Sequence, residues 1–185
     1  MSEIPKKTPL LAETDAKPVL VIETEREGLV LKELSSGEDD RVYLEALQED
    51  PQHVDNYLNR VASIYDTLEK VTERRHTAGD DIRMGIWDGD RLVGGISFRV
   101  SEEDKSQAEL GYWLRKSAVG HGYATLATKA LTHYVSPRFD KIFAEVHPDN
   151  IASQKVLERS GYHQSGVVER DWSGVKVAAL VFDAK

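Results

Sequence analysis

The most constraining feature of this chain is a pair of glycines one residue apart, Gly120 and Gly122, set between two runs of opposite periodicity. Residues 107–114 form an apolar run of strand length, and residues 123–134 follow with apolar side chains at helical spacing. A helix that begins directly behind glycines leaves its first backbone N–H groups without intrahelical partners. Such an end favours an anion, and a pyrophosphate above all. The dinucleotide fingerprint needs a third glycine where Thr125 stands, and the Gly-Lys-Ser/Thr of a Walker A loop is absent. On spacing alone, a helix cap without a ligand fits equally well.

Composition narrows the partners. The 185 residues suit one domain with a sizeable core. Against 24 Lys and Arg stand 32 Asp and Glu, a formal net charge of −8. That balance disfavours nucleic acid, which needs clustered cations, and suits a cationic acceptor or solubility alone. The absence of cysteine removes disulfides, thiolate zinc sites and thiol nucleophiles. The six histidines show no metal-ligand spacing, so no metal is expected. No apolar run approaches membrane-spanning length and no secretory signal pattern opens the chain, which points to the cytoplasm.

Residues 1–18 carry three prolines and mixed charge and read as an extended tail, leaving 19–185 as the folded domain. Short β-prone runs at 19–22 and 29–34 suggest a hairpin, and Ser35-Ser36-Gly37 followed by three acids opens a helix to about Glu49. A second helix is expected over 54–75, with Tyr57, Val61, Ile64, Tyr65, Leu68 and Val71 on one face. Residues 81–87, 92–100 and 107–114 form a meander around the turn Asp88-Gly89-Asp90. A helix over 123–134, a strand over 141–146 and a helix over 150–160 ended by Gly161 follow. Strands at 162–168 and 175–182 finish the chain, joined by a polar loop at 169–174. The order is mixed α/β.

The segment Ala108-Glu109-Leu110-Gly111-Tyr112-Trp113-Leu114, the glycine loop, Asp149-Asn150-Ile151-Ala152-Ser153 and Gly161-Tyr162 resemble the GNAT acetyltransferases. In that family the phosphate loop is Gln/Arg-x-x-Gly-x-Gly/Ala ahead of a helix. The likeness is greatest to the ribosomal-protein acetyltransferases of the RimJ/RimL type. It covers roughly residues 19–183, with specific motifs only between 93 and 162. It implies the GNAT fold: a mixed, mostly antiparallel central sheet splayed between two parallel strands and flanked by helices. The splay is expected between residues 107–114 and 141–146, with the pantetheine arm of acetyl-CoA in the gap. Ser117 occupies the usual Gln/Arg position, and Arg115 and Lys116 could supply charge nearby.

The resemblance also implies roles. Backbone N–H groups of Val119, Gly120, His121, Gly122, Tyr123 and Ala124 would hold the pyrophosphate, with the His121 side chain a solvated spectator. Main-chain N–H groups of Trp113 and Leu114 would meet the thioester carbonyl. Many members carry an acidic tyrosine seven residues after the motif asparagine; Leu157 stands there, and Ser153 is the branch's alternative at the CoA sulfur. Asn150 would meet the pantetheine, and Lys155 is grouped with the CoA site. Read without the family, Asn150 is a helix cap and Ser153 an ordinary helix-surface residue.

Glu109, ahead of Gly111-Tyr112, looks like the acid this branch carries there, and the resemblance favours it as general base, acting through a water, over Glu169 and Asp171. Trp87, Asp171 and Trp172 are candidates for the acceptor side, although Trp87 beside the hairpin turn reads most simply as packing. Three readings result. The first is an acetyl-CoA-dependent N-acetyltransferase acting on the α-amino group of a protein or peptide. The second replaces that acceptor with a small amine, such as an aminoacyl-nucleotide antibiotic of the microcin C type, for which Trp172 would stack on the base. The third is a CoA-binding module without catalysis. The apolar run 175–182 either completes the sheet of a monomer or pairs across a homodimer.

Overall fold

In the computed structural model, residues 19–56, 61–76 and 80–184 are described. The expected tail at 1–18 lies outside them. Alternating runs pair into an eight-stranded sheet in the order β1-β2-β3-β4-β5-β6-β8-β7. The strands are β1 Val21–Glu23, β2 Leu29–Glu33, β3 Ile82–Asp88 and β4 Arg91–Val100, then β5 Gln107–Leu114, β6 Lys141–Val146, β7 Tyr162–Trp172 and β8 Val175–Ala184. Every neighbouring pair is antiparallel except β5 and β6, which are parallel and therefore need a crossover. That crossover is helix α5, Tyr123–Val135.

Helices cover both faces. On one face α5 lays Ala127, Leu131 and Val135 against Val93, Phe98 and Leu110, and Leu157 of α6 (Ile151–Arg159) joins the same cluster. On the other face α1, Gly37–Gln48, brings Ala46 and Leu47 against Leu92 and Trp113. The start of α1 is fixed by a reciprocal capping box, in which Ser36 accepts from the Asp39 N–H and Asp39 accepts from the Ser36 N–H. Close packing at α1 depends on Gly95: a Cβ there would stand 2.5 Å from Trp113 Nε1 and 2.8 Å from the Tyr43 hydroxyl.

Two expectations change. The single helix over 54–75 is replaced by α2 Pro51–Asp55, α3 Val61–Ile64 and α4 Leu68–His76, with Tyr57 outside the described residues. Side-chain caps make the breaks: the Asp55 carboxylate accepts from the Ala62 and Ser63 N–H groups, and Thr67 Oγ1 accepts from the Lys70 N–H. Ile64, expected inside, is 52% exposed, while Ala62 takes the core position. The polar loop at 169–174 is also mostly strand. Strands β7 and β8 pair to Trp172↔Val175 and turn through Ser173 and Gly174 alone. Both have positive φ, 56° and 88°, as a tight hairpin turn demands.

Gly95→Ala should lower stability by about 1–3 kcal/mol, the usual cost of overpacking a filled core. Chemical denaturation of the variant checks this.

Candidate active site

The parallel ladder between β5 and β6 is short. It pairs Gln107 with Lys141, Ala108 with Ile142 and Glu109 with Phe143, and goes no further. Beyond that point β5 stays with β4 as far as Leu114, while β6 stays with β8 as far as Val146. The sheet opens between them at the carboxyl ends of two parallel strands, where open α/β sheets take their ligands. The expected splay is present, and Glu109 stands at its vertex.

Backbone alternation decides which groups face the opening. The Gln107 carbonyl accepts from the Ser101 N–H at 2.9 Å, and the Arg115 N–H donates to the Val93 carbonyl at 2.9 Å. Odd-numbered residues of β5 therefore turn their main chain to β4, and even-numbered ones turn it across the gap. The N–H groups of Tyr112 and Leu114 face the opening, whereas that of Trp113 belongs to the ladder. This corrects the expectation for Trp113, whose indole is also core: Nε1 donates to the Tyr43 hydroxyl at 2.9 Å.

The glycine loop closes one end of the opening. After a 3-10 turn at Lys116–Ala118, Gly120 and Gly122 take φ of 86° and 79°, and Gly122 caps α5 without a side-chain hydrogen bond. A Cβ at either position would meet nothing within 4 Å, so glycine is required by conformation and not by space. Val119 and His121 are exposed, and His121 Nδ1 lies 3.1 Å from the Val119 carbonyl. Ala124 is buried against the sheet, as is Tyr123, whose hydroxyl donates to Asp88 at 2.5 Å. That hydrogen bond, with burial, raises the phenol's pKa. Tyr123 thus moors the helix start to the β3–β4 turn.

The charge near Ser117 comes from an unexpected place. Arg115 and Lys116 pair with Glu49 and Asp50 behind α1, and Arg91 donates to Ser117 Oγ at 2.8 Å. Nothing in the sequence links positions 91 and 117, which only the meander brings together.

Helix α6 begins at the same mouth. Asn150 caps it, its side-chain oxygen accepting from the Ser153 N–H at 3.1 Å. Ser153 is no ordinary surface residue, because its Oγ lies 2.7 Å from the hydroxyl of Tyr112, across 41 positions of sequence. Tyr112 was not singled out from the sequence; its alternation with Trp113 could have placed it on the α6 side of β5. Lys155 is exposed, and Leu157, where many family members carry tyrosine, is fully buried.

Beside the opening lies a cleft of about 410 Å³ lined by Tyr43, Arg99, Glu109, Glu145, Arg170 and Trp172, among others. Burial pushes the Glu109 carboxyl above the ordinary glutamate range, with Arg99 at 2.9 Å partly opposing the shift and Glu145 adding to it. Glu145 is held by the two nitrogens of Arg170 at 2.7 and 2.6 Å. Glu169 pairs with Lys176, and Asp171, which also borders the cleft, accepts from the Gly174 N–H at 2.7 Å. The two acids of β7 are thus engaged in holding the hairpin. Trp172 walls the cleft and meets His147 edge-on, ring centroids 5.5 Å apart. Trp87 lies elsewhere, packed with the α1 cluster beneath Lys32.

The fold and the glycine-capped opening describe an acyltransferase, and the family follows. Residues 29–163 match the profile described as Acetyltransferase (GNAT) domain, so the chain belongs to the GNAT acetyltransferases. Over 97 residues it is 33% identical to the ribosomal-protein-serine acetyltransferase of Escherichia coli K12, spanning 51% of this chain and 54% of that one. Among solved structures it is similar to the ribosomal L7/L12 alpha-N-protein acetyltransferase RimL in complex with coenzyme A. There the TM-score is 0.79 at 17% identity, covering 89% and 97% of the two chains. It is likewise similar to the microcin C7 self-immunity acetyltransferase MccE in complex with acetyl-CoA and AMP. That TM-score is 0.76 at 15% identity, covering 85% and 92%. Among the described residues, no group of three or more His, Asp or Glu side chains is placed to hold a metal.

A carboxyl whose pKa is raised by folding penalises the native state once ionised. The penalty is absent below its ordinary value of 4.5 and grows as the pH rises through the higher native value. Glu109→Gln should therefore raise the thermal midpoint at neutral pH and lose that advantage in acid. Melting curves across pH check the sign.

Proposed function

We propose that the chain transfers the acetyl group of acetyl-CoA to the α-amino group of a protein or peptide, by direct attack with both substrates bound. The observation that carries this reading is Glu109, a desolvated carboxyl at the vertex of the sheet opening and on the wall of the cleft. One group lies within reach of both the donor's gap and the acceptor's space. Bound acetyl-CoA supplies the thioester carbonyl and a thiolate leaving group.

The chain's own groups fit that donor. Two left-handed glycines and an uncapped helix start offer backbone N–H groups to the pyrophosphate. The Leu114 and Tyr112 N–H groups, turned into the gap, suit a carbonyl oxygen that gains negative charge. Glu109, ionised, takes a proton from the acceptor ammonium through a water, and its raised pKa brings it nearer the working pH. Ser153 donates a hydrogen bond to the departing sulfur, replacing the tyrosine that Leu157 displaces. Asp171 is the weaker base, since its carboxylate already serves the β7–β8 turn.

The amino-terminal acceptor is supported by the likeness to the ribosomal-protein-serine enzyme and by a net charge of −8 that attracts basic peptides. A small aminoacyl-nucleotide is the second reading, favoured by Trp172 on the cleft wall and by the likeness to a structure holding AMP. A CoA-release assay against peptides with varied N-termini, free amino acids, polyamines and aminoacyl-sulfamoyl adenosines separates the two. Turnover on peptides, with Glu109→Gln lowering kcat/KM about 10²–10⁴-fold and abolishing the acid limb of its pH profile, is the expected result. If the nucleotide analogues are preferred instead, Trp172→Ala should raise their KM about tenfold or more while leaving peptide turnover unchanged.

A further inference from the structure

The Ser153 hydroxyl is not free to turn. Its oxygen lies 2.7 Å from the hydroxyl of Tyr112, and the same phenol approaches the Ser153 carbonyl at 3.3 Å. Tyr112 reaches it from the middle of β5, on the strand face that packs against α5 and α6. Ser153 itself is set by the Asn150 cap, which holds the serine's own N–H. Two elements therefore converge on one side chain: the cap fixes its backbone and the phenol fixes its oxygen.

We propose that Tyr112 is a positioning residue for acetyl transfer, which donates its O–H to Ser153 Oγ and so aims the serine's single hydrogen at the sulfur of CoA. The inference rests on the reading of Ser153 as the sulfur's hydrogen-bond donor. A serine hydroxyl has one hydrogen and two lone pairs. When the phenol donates, it fills a lone pair and leaves the hydrogen for a third group. When the phenol accepts, the serine's hydrogen is spent on it and the sulfur receives nothing.

Distance favours the donating sense: the phenol's one hydrogen finds Ser153 Oγ at 2.7 Å and the Ser153 carbonyl only at 3.3 Å. Burial pushes the Tyr112 phenol well above its ordinary range, so the group keeps its proton at any working pH. The same burial makes it a poor acid for a thiol whose ordinary pKa is about 8.5. Tyr112 thus acts through Ser153 and passes no proton itself. Leu157 on α6 is fully buried, and the phenol that meets Ser153 comes from β5.

The test follows the thiol of enzyme-bound CoA, which needs no acceptor. CoA is bound in excess of its Kd to the wild type, Tyr112→Phe, Ser153→Ala and the double variant. Its thiolate is then titrated by ultraviolet absorbance, with the thermal midpoint recorded for each protein. The wild type should hold the thiol below the value of free CoA. Tyr112→Phe should move it back by about one pH unit, with Ser153→Ala moving it at least as far. The double variant should match Ser153→Ala alone, because the phenol acts only through the serine. With an accepted peptide, kcat for Tyr112→Phe should fall about tenfold while the Kd for CoA stays constant. A shift in Ser153→Ala without one in Tyr112→Phe would overturn the role of Tyr112 and leave Ser153 standing. No shift in Ser153→Ala would overturn both. A loss in Tyr112→Phe that persists in full in the Ser153→Ala background would mark the phenol as acting on its own or on the fold.

Discussion

Everything at the site depends on where three parallel backbone pairings stop. Strands β5 and β6 are held together only from Gln107 to Glu109, after which each follows its antiparallel partner outward. A strand edge left open inside a sheet exposes N–H and C=O groups that must find partners. Here that requirement becomes a binding surface, because the edge of β5 faces a gap bounded by the starts of α5 and α6. The crossover helix is obliged to begin at the carboxyl end of β5, so its uncapped N-terminus arrives at the mouth by topology alone.

Charge around the gap is arranged in bound pairs. Arg99 faces Glu109, Arg170 clasps Glu145, and Arg115 and Lys116 are drawn away to Glu49 and Asp50. Most of these pairs are partly exposed and add little to stability. Their consequence lies in which carboxyl is held most firmly. Glu145 meets a two-pronged guanidinium at short range, while Glu109 has a single, mostly exposed arginine and a raised pKa. The carboxyl at the vertex is therefore the less firmly paired of the two.

Aromatic side chains fix the geometry from both faces of β5. Trp113 points to the α1 side and is pinned by Tyr43 above Gly95, and Tyr112 points to the α6 side and is pinned by Ser153. Alternation along one strand thus links the packing of α1 to the placement of the Ser153 hydroxyl on α6.

The strand runs at 107–114 and 141–146, the glycine loop and the Asn150 cap were legible because local periodicity and turn chemistry set them. The same local rules failed between 54 and 76, where helical spacing continued but Asp55 and Thr67 offered competing caps. They failed again at 169–174, whose polar residues resemble a loop until pairing with β8 makes them strand. By itself the sequence determined the α/β order, the glycine-led helix start and the family resemblance. The tertiary structure decided which main-chain groups face the gap, that Arg91 and not Arg115 stands at Ser117, and that Tyr112 meets Ser153. Those outcomes join residues 26 and 41 positions apart. Register between strands, which no local pattern encodes, is what brings them together.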